Sequence, residues 1–196
     1  NYIEIQDFGK ETFFSKIKKN NNNNKFNYYK KVIKLLNQIQ SIKTKKIKNF
    51  KNKNYIIPKY DHKILVKEAS LFCDWYVKDN LSKLQKQKFS KQFKKIIKQL
   101  TFNLKLKNNI FVHRDFHVSN LMMFNSQIGV IDSQDALIGN KTYDLASLID
   151  DVRFQTSKSF KKKIFNLYLK TQKKSEFIKI KNDFEILSIL RNLKII

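Results

Sequence analysis

Apolar residues recur at helical spacing over most of this chain and alternate with polar ones only at its start. Tyr2-Ile-Glu-Ile-Gln-Asp-Phe-Gly9 alternates, which predicts a strand ending in a turn at Gly9. A short helix is predicted over Thr12–Lys18, and the asparagine run Asn20–Asn24 reads as a mobile low-complexity loop. Phe26–Ile42 carries apolar residues at 29, 32, 33, 35, 36 and 39, a helical face. Lys43–Lys59 is rich in lysine and asparagine, holds the only proline, Pro58, and is predicted to be a loop. His62–Lys78 and Gln85–Leu104 are amphipathic helices, with Trp75 expected in the core of the first. Further on, Gly139 marks a turn, and helices are predicted over Tyr143–Phe154, Lys158–Lys170 and Asp183–Leu193.

One stretch breaks the helical rhythm. The apolar runs Leu121–Phe124 and Ile128–Ile131 flank the polar turn Asn125-Ser126-Gln127, which predicts a β-hairpin. The order is therefore a strand, helices, a hairpin, then helices, an α+β chain without internal repeats. At 196 residues it is large enough for one core.

Composition narrows the classes. No run approaches the roughly 20 apolar residues of a membrane span, and no signal-peptide pattern is present. Cys73 is the only cysteine, so an intrachain disulfide is impossible and a cytoplasmic setting is expected. A net charge of +25 suggests nucleic acid, but only three of the 41 basic residues are arginine: Arg114, Arg153 and Arg191. Lysine is the poorer bidentate reader of phosphates and bases, and the lysine excess resembles A/T codon bias, so no specific nucleic-acid partner is expected. Against this background, 115–151 is an acidic island: six aspartates and one lysine give a local charge of −5. Several of those aspartates interrupt apolar runs, where a merely solvated face would be out of place.

At the head of the island, His113-Arg114-Asp115 is followed by Asn120, and Asp132 lies twelve residues beyond that. The spacing is that of H-R-D-x-x-x-x-N in protein kinases, whose Asp accepts the proton of the attacking hydroxyl while the Asn and a later Asp hold magnesium. The hairpin would present one ligand at each end.

The surrounding residues carry a more specific resemblance. His113-Arg-Asp-Phe-His117 with Ser119-Asn-Leu121 resembles H-x-D-x-H-x-x-N-L of the aminoglycoside-phosphotransferase and choline-kinase-like families, as does Ile131-Asp-Ser-Gln-Asp-Ala136 with Gly139 and Tyr143-Asp-Leu-Ala146. Within that superfamily the chain is most similar to bacterial kinases of the anomeric hydroxyl of N-acetylmuramate and N-acetylglucosamine in cell-wall recycling. Gln6-Asp-Phe-Gly9, Glu68-Ala-Ser-Leu-Phe72 with Trp75-Tyr76, Leu148-Ile-Asp-Asp151 with Arg153, and Leu190-Arg-Asn-Leu-Lys194 carry this second likeness.

The resemblance implies a protein-kinase-like fold with 1–14 as hinge and end of the N-terminal lobe and 15–196 as the mostly helical C-terminal lobe. It implies ATP and Mg2+ as cofactors and a small-molecule alcohol as partner. Asp115 would be the base, with Asn120 and Asp132 on the metal and Asp135 either on a second ion or supporting the loop. Gln6, Asp7 and Phe8 would line the adenine pocket. His113 and Asp144 would hold the loop, and His117 and Arg114 would scaffold it or contact substrate. Glu68 would bind sugar hydroxyls or be an exposed helical glutamate. Two departures stand out. Ser133 replaces a bulky aromatic, and no glycine-rich loop or phosphate-clamping lysine precedes the hinge. The chain alone is thus expected to be a fragment with little activity.

Overall fold

Side-chain caps set where most of the helices begin. The computed structural model describes residues 6–48, 51–77 and 81–195. Thr12 caps α1 (Phe13–Lys18), its hydroxyl accepting from Ser15 N at 3.0 Å. Asn21 does the same for α2 (Asn22–Gln40), accepting from Asn24 N at 3.0 Å. The asparagine run expected to be a mobile loop is therefore the cap and first turn of a helix. Asparagine propagates helices poorly but caps them well, and buried Tyr29, Val32, Ile33 and Leu36 anchor the later turns of α2.

The region 43–59, expected to be a loop, holds a hairpin of β1 (Lys46–Lys48) and β2 (Asn54–Ile56), all six residues exposed. Beyond it Pro58 O accepts from Ile138 N, and Tyr60 N donates to Ile138 O, both at 2.8 Å. Asp61 caps α3 (His62–Trp75), and a capping box of Ser82 and Gln85 opens α4 (Lys83–Phe102). Trp75 does not enter the core: it is 74% exposed at the last position of α3.

Two short antiparallel pairs of strands follow, with β6 (Leu137–Gly139) fully buried. β3 (Ile110–Val112) pairs antiparallel with β6 (Leu137–Gly139), so Gly139 lies in a strand and not in the expected turn. A Cβ at Gly139 would sit 3.1 Å from Tyr60 Cβ, which explains the small residue there. β4 (Leu121–Phe124) pairs with β5 (Gln127–Val130) across the two-residue turn Asn125-Ser126. Both turn residues have positive φ, 46° and 62°, the form whose twist matches a hairpin.

The first part of the strand expected over Tyr2–Gly9 lies outside the described residues, and 6–9 have no regular structure. Gly9 turns the chain at φ 71° with its N–H on Asp7 Oδ1, and Glu11 O then accepts from Met123 N at 2.8 Å. This lays the segment along β4.

Three helices close the fold: α5 (Thr142–Ile149), α6 (Lys158–Leu169) and α7 (Phe177–Ile195). α5 stops short of the predicted Phe154 because Asp151 folds its carboxylate back onto Arg153 N. α7 starts six residues before the predicted Asp183. Its buried face includes Asp183, Ser188 and Arg191, polar residues that blur the apolar period. Two apolar clusters result. One gathers α1, α2 and α6 around Phe116 and Leu121, and the other gathers α3, α4 and α7 around Val112 and Tyr143. The 113–120 loop runs between them.

Candidate active site

A buried carboxylate shapes the loop. Asp144, in the first turn of α5, is fully buried and accepts from His113 N at 2.8 Å and Arg114 N at 2.9 Å. These two bonds hold Arg114 at φ 77°, a left-handed conformation that an L-residue keeps only when its surroundings enforce it. Burial pushes the Asp144 pKa up to about 7, opposed by the two N–H donors. His113 donates from Nε2 to Ile131 O at 3.1 Å, which ties the loop to the end of the hairpin. Burial holds the imidazole below its usual pKa, so it is neutral at pH 7.

The start of α5 depends on a relay that the sequence did not disclose. Asp183 on α7 is fully buried and accepts from Lys105 N, Leu106 N and Asn140 Nδ2 at 2.8, 2.9 and 2.6 Å. Asn140 Oδ1 in turn accepts from Thr142 N at 3.0 Å and Thr142 Oγ1 at 2.9 Å, capping α5 where Lys141 provides no cap. One aspartate thus orients the helix that carries Asp144. Its only sequence signal is an acid within an apolar period.

Downstream of Arg114 the loop tightens into one turn of 3-10 helix. His117 N bonds to Asp115 O at 3.0 Å, and Asn120 N to His117 O at 2.9 Å. The Asn120 amide bridges the two halves of the site: Nδ2 donates to Asp115 O at 3.0 Å and to Asp132 Oδ2 at 3.3 Å. Ile131 N closes the contact on Asn120 O at 3.1 Å. Asp132 sits just past β5 at φ 69°, exposed, with Oδ1 accepting from Gln134 Nε2 at 2.7 Å. The Asp132 carboxylate is thus oriented by two amides, those of Asn120 and Gln134. Asn120 therefore ties the Asp115 backbone of the loop to the Asp132 carboxylate at the end of β5.

The other residues singled out in the sequence occupy a wider ring. Asp135 is exposed and lies 3.8 Å from Arg114 Nη1. Glu68 is not an exposed helical glutamate: its side chain is 12% exposed and accepts from Arg114 Nη2 and Tyr60 OH, with Lys194 at 3.8 Å. α3 thereby grips the loop through a side chain, opposite the grip of Asp144 on its backbone. Gln6 and Asp7 are exposed, while Phe8 packs edge-on to Phe124 with its ring over Gly129. A Cβ at Gly129 would meet that ring at 2.5 Å, so the glycine admits the segment 6–9 to the hairpin.

His117 is buried with Nδ1 unpartnered, and its pKa is lowered to about 4 by burial, reinforced by the charges of Arg153 and Arg191. Between pH 6.5 and about 4 the unfolded chain binds a proton that the folded chain refuses. Stability from this group is complete above pH 6.5 and is lost as the pH falls toward 4. Melting temperatures measured across that interval should fall less steeply for His117→Gln than for the natural chain. Parallel curves would show that His117 does not carry the effect.

Comparison with known proteins adds the family. The profile of the phosphotransferase enzyme family matches residues 5–177, from just before Phe8 through the loop, the hairpin and α6. The chain belongs to this phosphotransferase family. Over 105 residues, 54% of this phosphotransferase chain and 31% of the relative, it is 34% identical to the N-acetylmuramate/N-acetylglucosamine kinase of Neisseria meningitidis serogroup B. The kinase of the same name from Pseudomonas aeruginosa is 36% identical over 96 residues, 49% of this chain and 28% of its own. That of Pseudomonas putida is 33% identical over 95 residues, 48% and 28%. The chain thus spans less than a third of the length of these curated relatives.

An oxygen-only, two-residue donor set suits one kind of cation. Among the described residues no three His, Cys, Asp or Glu side chains are grouped to hold a metal. Asn120 and Asp132 offer one amide oxygen and one carboxylate, a hard and sparse set. It fits magnesium, which takes few protein ligands and completes its shell with water and phosphate.

Proposed function

We propose that this phosphotransferase is an ATP-dependent small-molecule kinase of the protein-kinase-like fold, acting on the anomeric hydroxyl of N-acetylmuramate or N-acetylglucosamine. The observation that carries the reading is the Asn120 bridge, which joins the Asp115 backbone to the Asp132 carboxylate. Phosphoryl transfer needs a base for the hydroxyl and a metal-held phosphate side by side, and one amide sets the distance between these two groups.

Bound magnesium would neutralise charge on the nucleotide phosphates. Asp132 and Asn120 would hold it, Asn120 through Oδ1, because its Nδ2 donates to Asp115 O. Asp115 would orient the acceptor hydroxyl and take its proton as the new O–P bond forms and the bond from the γ-phosphorus to the β-phosphate oxygen breaks, with ADP leaving. Asp144 and His113 keep the loop in place, and Glu68 does so through Arg114. Asp135 supports the loop through its contact with Arg114. Phe8 fixes the segment 6–9 on the hairpin, where the backbone of Gln6, Asp7 and Phe8 would meet adenine. We place 1–14 at the hinge and 15–196 in the helical lobe of a cytoplasmic enzyme of cell-wall recycling. Among the described residues no helix is long and apolar enough to cross a membrane.

The names of the relatives support the acceptor. A screen of ATP consumption by the complete protein with magnesium tests it. N-acetylglucosamine or N-acetylmuramate should release ADP fastest; faster turnover of an aminoglycoside, choline or homoserine would reassign the acceptor.

A further inference from the structure

On the side of α3 away from Glu68 runs a groove. Lys63, Val66, Lys67, Ser70 and Asp74 recur at helical spacing on one stripe, turned about 140° from Glu68 and hence from the loop that Glu68 grips. α4 supplies the facing wall. It runs antiparallel to α3: Phe102 at its end packs on His62 at the start of α3, ring centroids 5.1 Å apart, and Phe93 stacks on Phe72 at 5.5 Å. The groove between the two helices encloses about 830 Å³.

Its lining joins an apolar bed to a cationic rim. Val66, Leu71 and Phe102 form the bed, and Phe102 is 63% exposed. Lys63 and Lys67 stand on one wall, Lys94 and Lys98 on the other. Among the described residues none of these four makes an ion pair. The carboxylates of the groove lie at its two ends, Asp61 and Asp74, and Asp61 is occupied in capping Ile64 N at 3.0 Å.

Lysine abounds in this chain, so its arrangement here says more than its number. From Asp61 to Asp74 the groove is about 20 Å long at the helical rise, with its cations confined to the middle and set on both walls. A lipid has one charged head and calls for cations gathered at one end. An amphipathic helix carries charge along both flanks of an apolar stripe, and this groove carries the complement. We propose that the α3–α4 groove is the docking site for an acidic amphipathic helix of a partner protein. Its apolar stripe lies on Val66, Leu71 and Phe102, and its carboxylates meet the four lysines. The proposal stands apart from the acceptor reading, because neither Glu68 nor the loop takes part.

The probe is a labelled peptide of about 14 residues, matched to the groove length, with leucines on one helical face and glutamates along both flanks of its middle turns. A shuffled peptide of equal composition is the control. Fluorescence anisotropy with the natural chain should give a dissociation constant about 10-fold or more below that of the shuffled peptide, a preference that net charge alone does not create. Lys67→Glu combined with Lys94→Glu should raise the constant about 10-fold, the worth of two reversed surface charges. Phe102→Ser, at an exposed position, should raise it about as much, as for loss of an aromatic anchor. Both variants should melt with the natural chain, and if the charge reversal fails to fold, Phe102→Ser carries the test alone. Equal affinity for the two peptides, or affinity unchanged in Phe102→Ser, would overturn the proposal. Binding to phosphatidylglycerol vesicles that the same variants abolish, without any preference between the peptides, would assign the groove to a membrane surface and overturn it too.

Discussion

Asp115→Asn in the complete enzyme should lower kcat by about 10²- to 10⁴-fold, the usual worth of a positioned base, with little change in KM for ATP. Asparagine keeps the size of the side chain and leaves the backbone bond from Asn120 Nδ2 to Asp115 O in place, so the loop should not move. Only the proton acceptor is removed. Steady-state kinetics with saturating sugar checks this. A variant retaining more than about a tenth of the natural kcat would exclude Asp115 as an essential base, since the smallest expected loss is larger.

Asp132→Ala should fail in another way. The substitution removes the single carboxylate of the proposed metal pair and strips Gln134 Nε2 and Asn120 Nδ2 of a shared acceptor. Nucleotide affinity and turnover should fall together, and the magnesium needed for half-maximal rate should rise by about 10-fold or more, as for damage to a metal's ligand shell. Alanine is also strained at φ 69°, so Asp132→Asn, which tolerates that conformation and keeps an oxygen, separates the two effects. The asparagine variant should melt near the natural chain yet still need more magnesium. Titration of rate against magnesium at fixed ATP reads this directly. A magnesium dependence unchanged in both variants would remove Asp132 from the metal.

The sequence was most legible where a physical period was strong. α2, α3, α4 and α6 follow from apolar faces, and the β4–β5 hairpin from two apolar runs around a polar turn. The convergence of Asp115, Asn120 and Asp132 follows from loop spacing, because a tight turn and a two-residue hairpin leave few ways to place them. Features that stayed hidden were set by distant partners. β3 and β6 are three residues each and owe their pairing to neighbours, so no local alternation announces them. Asp183 reads as one charge in an apolar helix, yet 78 residues separate it from Lys105, whose N–H it binds.

Trp75 and Glu68 invert the usual preferences for the same reason. The tryptophan at the last position of α3 is exposed, whereas the glutamate two turns earlier meets Arg114 and Tyr60. Composition misled at 43–59, where a lysine- and asparagine-rich stretch holds a hairpin, and at Asn20–Asn24, because a run of asparagines has the chemistry of a cap as well as that of a loop.

The central claim is that Asp115 and the Asn120–Asp132 pair together move a phosphoryl group from ATP to the anomeric oxygen of an amino sugar. Phosphorus NMR of the product, made by the complete enzyme from ATP, magnesium and N-acetylglucosamine, tests it most directly. A sugar phosphate coupled to the anomeric carbon and proton, formed by the natural enzyme and lost in Asp115→Asn, is the predicted result. Phosphate on another hydroxyl, or ADP and inorganic phosphate without any sugar phosphate, would contradict the account.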